Sequence, residues 1–284
     1  MSPAPDLSAQ ACVVTGAGSG IGFETAVGLA AGGAQVALVG RSAESAEAAR
    51  AALAGRVPGA RAETFACDLS SLRQVRALAA RLAERHPRLD VLVHAAAAVY
   101  SDLTWSEDGI EMQWAVNHLA PFLLTQELAG PLRAAEAARV VTVTSRAHAR
   151  GRLYLDDPNL RERYSAFRAY DQSKLANVLF SFELARRLAG TRVTANCLQP
   201  GLVRTGIGYK HTNRRSRILW WAMSRLGRSP ERAAREVVRL ASAPELEGVT
   251  GCYFSGGRPV RASAAARDED LARRLWELSE RLTT

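Results

Sequence analysis

Short strand-like runs alternate with longer helix-like segments along the whole chain, and this alternation limits the possible folds more than any other feature. Seven runs are apolar and strand-like: ACVVTG, AQVALVG, AETFACD, DVLVHAA, ARVVTVTS, TRVTANCLQ and GCYFS. Between them, segments such as 71–85, 108–128 and 231–242 have apolar residues at helical spacing. This order is typical of βαβ units and a parallel sheet. We therefore predict an α/β, Rossmann-type fold: a doubly wound, parallel, seven-stranded sheet with helices on both faces.

The chain of 284 residues is long enough for one large domain or two small ones. It contains no Pro/Gly/Ser-rich linker and no internal repeat, so we predict one domain over 1–284. Two connections, 146–166 and about 202–229, are longer than is usual in such folds. Because ligands bind at the carboxyl ends of the strands in open α/β sheets, we expect both loops to border a ligand site.

The formal net charge of +9 makes nucleic acid or an acidic membrane surface a possible partner. However, the 37 basic residues are spread over many predicted helical faces and mixed with 28 acidic ones. One local cluster, YKHTNRRSR at 209–217, has no interleaved aromatic residues for stacking on bases. We therefore expect no nucleic-acid partner.

No apolar run is long enough to cross a bilayer. The N-terminal residues MSPAPDLSAQ lack the basic-then-apolar pattern of a secretory signal, so we expect a cytoplasmic protein. Cys12, Cys67, Cys197 and Cys252 are scattered and show no metal-ligand spacing. We interpret them as buried, reduced thiols and predict no metal site.

A glycine-rich loop, VVTGAGSGIG, ends the first strand and opens a helix. Its spacing, Gly16-x-x-x-Gly20-x-Gly22, differs from the dinucleotide fingerprint G-x-G-x-x-G. The loop can still bind a dinucleotide phosphate: Gly16 permits a tight turn, Gly20 lets the backbone approach a pyrophosphate, and Gly22 allows close helix packing. Glycines also form plain turns, but the strand–loop–helix context favours phosphate binding.

Arg41 follows the second strand, where dinucleotide folds contact the adenosine ribose. An acid here binds the free 2′-hydroxyl of NAD, whereas an Arg accommodates the 2′-phosphate of NADP. The nearest acid, Glu44, lies inside the next predicted helix. Arg41 could also be an ordinary exposed loop residue, but a guanidinium matches a phosphate well. We therefore predict NADP(H) as the cofactor.

Tyr170 precedes Lys174 by four residues in RAYDQSKLANVLF, at the start of an apolar run. Residues four apart are neighbours on a helix surface. The pair is therefore either catalytic or simply an aromatic residue and a cation on one face of a helix.

These segments, in this order, resemble the short-chain dehydrogenase/reductase family over nearly the whole chain. Their sequences most resemble its retinol-dehydrogenase-like branch. The matching segments are TGAGSGIG, CDLS at 67–70, GIEMQWAVNHLAPFLLT, RVVTVTSRAH, YDQSKLANVLFSFELARRL and LQPGLVRT. The resemblance implies four catalytic residues, Asn117, Ser145, Tyr170 and Lys174. The implied cofactor-binding residues are Gly16, Ser19, Gly20, Ile21, Gly22, Arg41, Asp68, Leu69, Ala95, Ala96, Tyr170, Lys174, Pro200, Gly201, Val203 and Thr205.

The implied chemistry is a proton transfer coupled to hydride transfer from the cofactor. A free tyrosine has a pKa of about 10, and we expect the Lys174 ammonium to lower that of Tyr170 so that it acts as general acid or base. Ser145 is then expected to bind the substrate oxygen. In the family, Lys174 would also bind the nicotinamide ribose and Asn117 would position a water for proton relay.

The chain departs from the family pattern after the fourth predicted strand. It reads His94-Ala95-Ala96-Ala97 where the family usually reads Asn-Asn-Ala-Gly. Ala97 adds a methyl group and restricts φ at a position that is usually Gly. We expect His94 to be a core or cofactor-edge residue and not a catalytic one.

RILWWAMSRLG at 217–227 follows the Pro200–Gly201 loop, where the family carries its substrate lid. Trp220, Trp221, Met223 and Leu226 could cover a lipophilic substrate. The segment could equally be an amphipathic helix packed on the core or a partner, or, less plausibly, lie on a membrane surface.

The leading prediction is therefore an NADP(H)-dependent carbonyl reductase or alcohol dehydrogenase for a lipophilic small molecule. Non-redox chemistry on the same fold, such as a cyclisation or elimination, is one alternative. A non-catalytic NADP(H)-sensing protein is another, although a sensor has no need of the acid/base pair. Family members often dimerise through the helices around the catalytic Asn and Tyr, so a homodimer is possible.

Overall fold

The computed structural model describes residues 6–204 and 227–284. Eight strands form one sheet in the order β3-β2-β1-β4-β5-β6-β7-β8. The strands are β1 Ala11–Thr15, β2 Gln35–Gly40, β3 Arg61–Ala66, β4 Val91–His94, β5 Arg139–Val143, β6 Thr194–Gln199, β7 Tyr253–Ser255 and β8 Arg258–Pro259. The helices are α1 Gly20–Ala31, α2 Ala43–Arg56, α3 Leu72–Arg85, α4 Met112–Trp114, α5 Ala120–Glu127, α6 Ala129–Ala134, α7 Ala166–Arg187, α8 Pro230–Ser242 and α9 Glu269–Leu282.

All seven predicted strands form and pair in parallel, which confirms the doubly wound α/β fold. The strand order reverses at β1, which lies between β2 and β4. The carboxyl ends of strands at such a switch point form the crevice where ligands bind. Thr15, the last residue of β1, pairs with Val39 and His94, so this crevice opens beside the glycine-rich loop.

The eighth strand was not predicted. β8 is antiparallel to β7, and the two are joined by Gly256 and Gly257 with φ values of +59° and +77°. Positive φ at two consecutive positions is what the tight turn of a two-residue hairpin requires. A strand of two residues is too short to show an alternating pattern, so the sequence contains no signal for it.

The sheet is covered on both faces. Alternate strand residues enter two separate cores: Val13 and Leu92 face α3, α5 and α7, whereas Val14 and Val93 face α1 and α8. Strands buried on both faces are continuously apolar, as is usual in parallel sheets. This explains why the predicted runs lack the alternation of a half-exposed strand.

The segment 108–128 is not one regular helix. α4 leads into a π-helical turn, Ala115–Leu119, before α5 begins. Pro121 explains the irregularity, because it has no N–H to donate to the carbonyl of Asn117, four residues earlier, and its ring would clash with that carbonyl in a regular α-helix. The wider turn avoids this clash and sets the position of Asn117.

The last helix, α9, packs on α5 and α7. Trp276 contacts Phe122 and Phe180 at ring-centroid distances of 4.9 and 6.0 Å, and Ser279 Oγ lies 2.8 Å from His118 Nε2. Part of the helical face through which family members often dimerise is therefore covered within one chain. The homodimer stays a prediction, and it would need a surface other than the part that α9 covers.

Several predictions concern residues outside the described ranges: the substrate lid with Trp220 and Trp221, the basic run 209–217, and Thr205. Cys12, Cys67 and Cys197 are buried and Cys252 is partly exposed, all as free thiols. Within 6–204 and 227–284, the side chains form no cluster suited to a metal ion. None of the helices in these ranges combines the length and hydropathy needed to cross a bilayer.

Candidate active site

A cavity of about 620 Å³ lies at the carboxyl ends of the central strands and brings most of the predicted site residues together. It is lined by Gly16, Ser19, Gly20, Ile21, Gly22, Arg41, Asp68, Leu69, Ala95, Ala96, Ser145, Tyr170, Lys174, Pro200, Gly201 and Val203. Of the predicted set, Asn117 lies behind the cavity wall and Thr205 lies outside the described residues. Residues from distant parts of the chain therefore line one continuous cavity.

The glycine-rich loop is shaped by close backbone contacts. Gly16 has φ +69°, and a Cβ there would lie 2.7 Å from the Cα of Ala96. Gly20 has φ +60°, and a Cβ on Gly22 would collide with the carbonyl oxygen of Gly16. Since side chains would be strained or would clash at these positions, the three glycines are required by the backbone conformation of the loop itself.

The N-terminus of α1 is prepared for an anion. Five of the six helices longer than eight residues in the described part of the chain have an N-cap side chain that accepts a backbone N–H: Ser42, Ser71, Ser165, Ser229 and Asp268. Ser19, the N-cap of α1, makes no such hydrogen bond. The first N–H groups of α1 and its positive dipole end thus face the cavity without a side-chain cap, which fits a dinucleotide pyrophosphate.

The ribose end of the cavity carries one cation and one acid. Arg41 is exposed directly after β2, with Ser42 and Ser45 beside it on the cavity wall. Asp68 follows β3, and its Oδ1 accepts hydrogen bonds from the N–H and Oγ of Ser70 at 3.0 and 2.8 Å. These bonds fix the carboxylate of Asp68, and Arg41 lines the same cavity.

The side chain of Ser145 lies beside that of Tyr170, where it acts to lower the pKa of the phenol. Ser145 follows β5, and its Oγ accepts the N–H of Ala147 at 3.2 Å, which leaves its hydrogen free to donate. Burial raises the pKa of Tyr170 to about 12, against the lowering effect of the Ser145 side chain. The expected lowering of this pKa is not seen in the protein alone, because desolvation outweighs the polar contacts.

Lys174 is 2% exposed and lies one turn after Tyr170 on α7. Its Nζ donates to the carbonyl oxygen of Val143 at 3.2 Å and lies 5.6 Å from the centre of the Tyr170 ring. Burial lowers the pKa of Lys174 to about 8. The ammonium is thus held near the phenol and inside the same cavity.

Asn117 is fully buried, and its side chain bonds to protein groups. Oδ1 accepts the N–H of Ala98 at 2.7 Å, while Nδ2 donates to the carbonyl of Ala98 at 3.0 Å and to Ser173 Oγ at 3.1 Å. The side chain joins the loop after β4 to the π turn and to α7. Its predicted role in a water relay stays a prediction.

The segment after β4, which lacks the side-chain amides usual in the family, is held by hydrogen bonds from its backbone. The hydroxyl oxygen of Thr15 accepts the N–H groups of Ala95 and Ala96 at 3.2 and 3.3 Å. Ala97 is unstrained, since Leu160 is the one non-glycine residue with positive φ in the described ranges. His94 is 2% exposed, with Nε2 2.8 Å from Thr125 Oγ1. Burial lowers the pKa of His94 to about 3, so it is a neutral core residue, as predicted.

The substrate side of the cavity was only partly predicted. Val99, Tyr100, Met112, Val116 and Phe167 line it; Met112 and Val116 lie in the segment that carries Asn117, and none of the five was predicted as a site residue. The long loop 146–166, which the sequence did single out, reaches this wall. Tyr164 donates to the carbonyl of Tyr100 at 2.8 Å, and Asn159 Oδ1 accepts the N–H of Glu111 at 2.8 Å. The loop is thereby fastened to the segment that leads into α4.

Comparisons with known proteins agree with this geometry. The family model for short chain dehydrogenases matches residues 10–216. Retinol dehydrogenase 13 from Homo sapiens is 40% identical, over 97% of this chain and 85% of the relative. A crystal structure from Mycobacterium paratuberculosis has a TM-score of 0.78 and 35% identity, over 99% of this chain and 96% of the other.

A short chain dehydrogenase from Shigella flexneri, solved in complex with NADP, has a TM-score of 0.68 and 25% identity, over 89% of this chain and 98% of the other. The glycine loop, the Ser145–Tyr170–Lys174 group and these matches lead to one conclusion. The chain belongs to the short-chain dehydrogenase/reductase family of oxidoreductases, in its retinol-dehydrogenase-like branch.

Proposed function

We propose that the protein is an NADP(H)-dependent oxidoreductase that interconverts a carbonyl and an alcohol on a lipophilic small molecule. The observation that carries this proposal is the placement of Ser145, Tyr170 and the buried Lys174 in the same cavity as the uncapped N-terminus of α1. This arrangement provides a proton donor and an anion-binding site within one enclosure.

Arg41 supports NADP(H) over NAD(H). It is the charged residue directly after β2, and Glu44 does not line the cavity. A planar guanidinium can bind a 2′-phosphate through paired hydrogen bonds, whereas NAD is recognised there by a carboxylate. The Shigella flexneri relative with bound NADP is in keeping with this preference.

The bound nicotinamide would supply or accept the hydride. The residues of the chain orient the substrate and transfer the proton. Ser145 donates a hydrogen bond to the substrate oxygen, and Tyr170, which is protonated at neutral pH, donates its proton to that oxygen as negative charge develops there. Lys174 places positive charge beside the phenol, and this charge stabilises the phenolate that remains.

At neutral pH, Tyr170 carries the proton that the reduction of a carbonyl requires. Because its pKa is raised, Tyr170 is protonated at neutral pH and holds a proton to donate, although the raised pKa also makes it a weaker acid. Oxidation of an alcohol would require the pKa of Tyr170 to fall when positive charge enters the cavity. We therefore propose that protonated Tyr170 serves as the acid when a carbonyl is reduced.

The substrate wall supports a lipophilic substrate. Val99, Met112, Val116 and Phe167 contribute apolar surface next to Tyr170. Pockets of this kind bind apolar bodies and use a few polar groups for orientation, which here would be Ser145 and Tyr170. The similarity to retinol dehydrogenase 13 is consistent with a substrate of this class.

The test is incubation of the purified protein with NADPH and a panel of aldehydes and ketones of increasing apolar length, followed by cofactor absorbance. We expect oxidation of NADPH that depends on the carbonyl compound and strengthens with chain length. If a broad panel gives no oxidation, although NADPH binds, the redox proposal is wrong and non-redox chemistry or cofactor sensing takes its place.

A further inference from the structure

His148 lies in the short 3-10 turn Arg146–Ala149 that follows Ser145, and it is 4% exposed. Its Nδ1 lies 2.8 Å from the carbonyl oxygen of Ser145, and its backbone N–H donates to the same oxygen at 3.2 Å. On the other side of the ring, the N–H of Ser263 donates to Nε2 at 3.4 Å. The imidazole therefore connects the turn that carries Ser145 to the segment before α9.

These two partners determine which ring nitrogen carries the hydrogen. The carbonyl of Ser145 can only accept, so Nδ1 is protonated, and the N–H of Ser263 can only donate, so Nε2 is bare. Burial lowers the pKa of His148, which favours the same neutral ring. Tyr253 on β7 packs against the imidazole with a centroid distance of 4.7 Å. The ring thus has one tautomer and one orientation.

The hydrogen bond to the Ser145 carbonyl controls the peptide group between Ser145 and Arg146. The Oγ of Ser145 is itself bonded to the N–H of Ala147 in the same turn. A rotation of that peptide would displace the turn and with it the hydroxyl that faces Tyr170. A displacement of about 1 Å in a catalytic group can reduce the rate about 100-fold.

We propose that His148 is a positioning residue for the reaction: by donating Nδ1–H to the Ser145 carbonyl, it holds the Ser145 hydroxyl against Tyr170. The inference rests on the proposed function. It also accounts for a polar ring at a buried position whose other neighbour is the apolar face of Tyr253. Neither the glycine loop nor the Tyr170–Lys174 pair gave any indication of this role.

Three substitutions separate positioning from packing. In His148→Asn the amide nitrogen falls near Nδ1 and keeps the bond to Ser145, whereas in His148→Gln the amide reaches Nε2 and keeps the bond to Ser263. His148→Ala keeps neither, and all three lose the ring contact with Tyr253. We expect His148→Asn to retain kcat within about threefold and the other two to lose about 10- to 100-fold. KM and the NADPH Kd should change by less than about threefold in all three, because the cofactor loop is untouched.

His86 provides a matched control. It is also a buried histidine, 5% exposed, but it caps the C-terminus of α3 at the opposite edge of the sheet. His86→Ala should lower the midpoint of thermal unfolding while kcat stays unchanged. If His86→Ala and His148→Ala reduced kcat equally, general destabilisation would explain both effects and positioning would be refuted.

The hydrogen bond has a readout that does not depend on turnover. Long-range ¹H–¹⁵N correlation spectra of the wild-type protein should show His148 as the Nδ1–H tautomer. An Nε2–H tautomer, equal losses of kcat in His148→Asn and His148→Gln, or full activity of His148→Ala would each overturn the inference. If the wild-type protein reduces no carbonyl, the proposed function and this kinetic role fail together, while the spectrum still tests the contact with Ser145.

Discussion

Asn117 binds both backbone groups of Ala98: Oδ1 accepts the N–H at 2.7 Å and Nδ2 donates to the carbonyl at 3.0 Å. The side-chain amide pairs with the backbone of Ala98 as the backbone of a neighbouring strand would. It joins the loop after β4 to the π turn. Pro121 places Asn117 there by preventing a regular helix at this point. A residue expected for catalysis is therefore also a structural link behind the cavity.

Replacing Asn117 by Ala should destabilise the protein. It leaves the N–H and carbonyl of Ala98 buried without partners, at about 1–3 kcal/mol for each group. Urea unfolding should show a lower midpoint with an unchanged slope. Ser173→Ala is the matched control: it removes the third bond of the amide at 3.1 Å and the Ser173 bond to the Tyr170 carbonyl at 2.8 Å, but it leaves both groups of Ala98 paired and should cost less. Equal stability of Asn117→Ala and the wild type would contradict the proposed link.

Replacing Tyr170 by Phe should remove catalysis and leave cofactor binding intact. The ring and its packing are kept, but the proton donor is lost, which typically costs about 10²- to 10⁴-fold in kcat. Stopped-flow or steady-state assays with NADPH measure this loss, and fluorescence titration measures the NADPH Kd. Full activity in this variant would mean that another group transfers the proton.

Replacing Arg41 by Ala should abolish the preference for NADPH over NADH. A charge-assisted hydrogen bond is worth about 1.5–3 kcal/mol, which corresponds to roughly 10- to 100-fold in Kd. The NADPH Kd should rise by that factor while the NADH Kd changes little. Arg50→Ala is a suitable control, because Arg50 lies on the exposed side of α2 and pairs with Glu47. Equal affinities for the two cofactors in the wild-type protein would refute the assignment.

Lys174 should make stability depend on pH in the alkaline range. Its pKa falls from 10.5 to about 8 on burial, so between these values the unfolded chain binds more protons than the folded one. Stability linked to this group therefore rises with pH from about 8 to 10.5 and is flat below 8. The wild type should gain stability relative to Lys174→Met across this range. Comparing the two proteins cancels the opposite contribution of the buried cysteines, whose pKa values burial raises. A constant difference would show that Lys174 is not desolvated.

Replacing Trp276 by Ala should disrupt the packing of α9 on α5 and α7 and destabilise the protein. Trp276 is 3% exposed and packs between Phe122 and Phe180, and loss of such a side chain costs about 3–5 kcal/mol. Trp105→Ala, at a residue that is 38% exposed, should have a small effect. Sedimentation of the Trp276 variant would also show whether uncovering this face promotes self-association. Equal losses of stability at both positions would contradict the packing role.

The sequence was sufficient for the fold because its signals are local. Apolar runs of strand length, separated by helices, permit little besides a parallel sheet, and all seven predicted strands formed. The glycine loop and Arg41 were recognisable from their positions after the first two strands, whereas Ser145 and the catalytic role of Tyr170 and Lys174 were implied by the resemblance to the family. Ala97 has no positive φ, so the methyl group causes no backbone strain there, and Thr15 accepts the N–H groups of Ala95 and Ala96 beside it.

What the sequence could not supply depends on distant contacts. The pKa of Tyr170 rises because burial removes water around it, although the Ser145 side chain and the charge of Arg150 favour the opposite shift. Ala98, the partner of Asn117, is 19 residues away, and Ser263, the second partner of His148, is 115 residues away, so no local pattern reveals either bond. The sequence alone determined the order of strands and helices and the identity of the chemical groups in the site, because both can be recognised in short segments of the chain. The protonation of those groups, and the contacts that hold them, were decided by the tertiary structure, because burial and long-range hydrogen bonds exist only once the chain has folded.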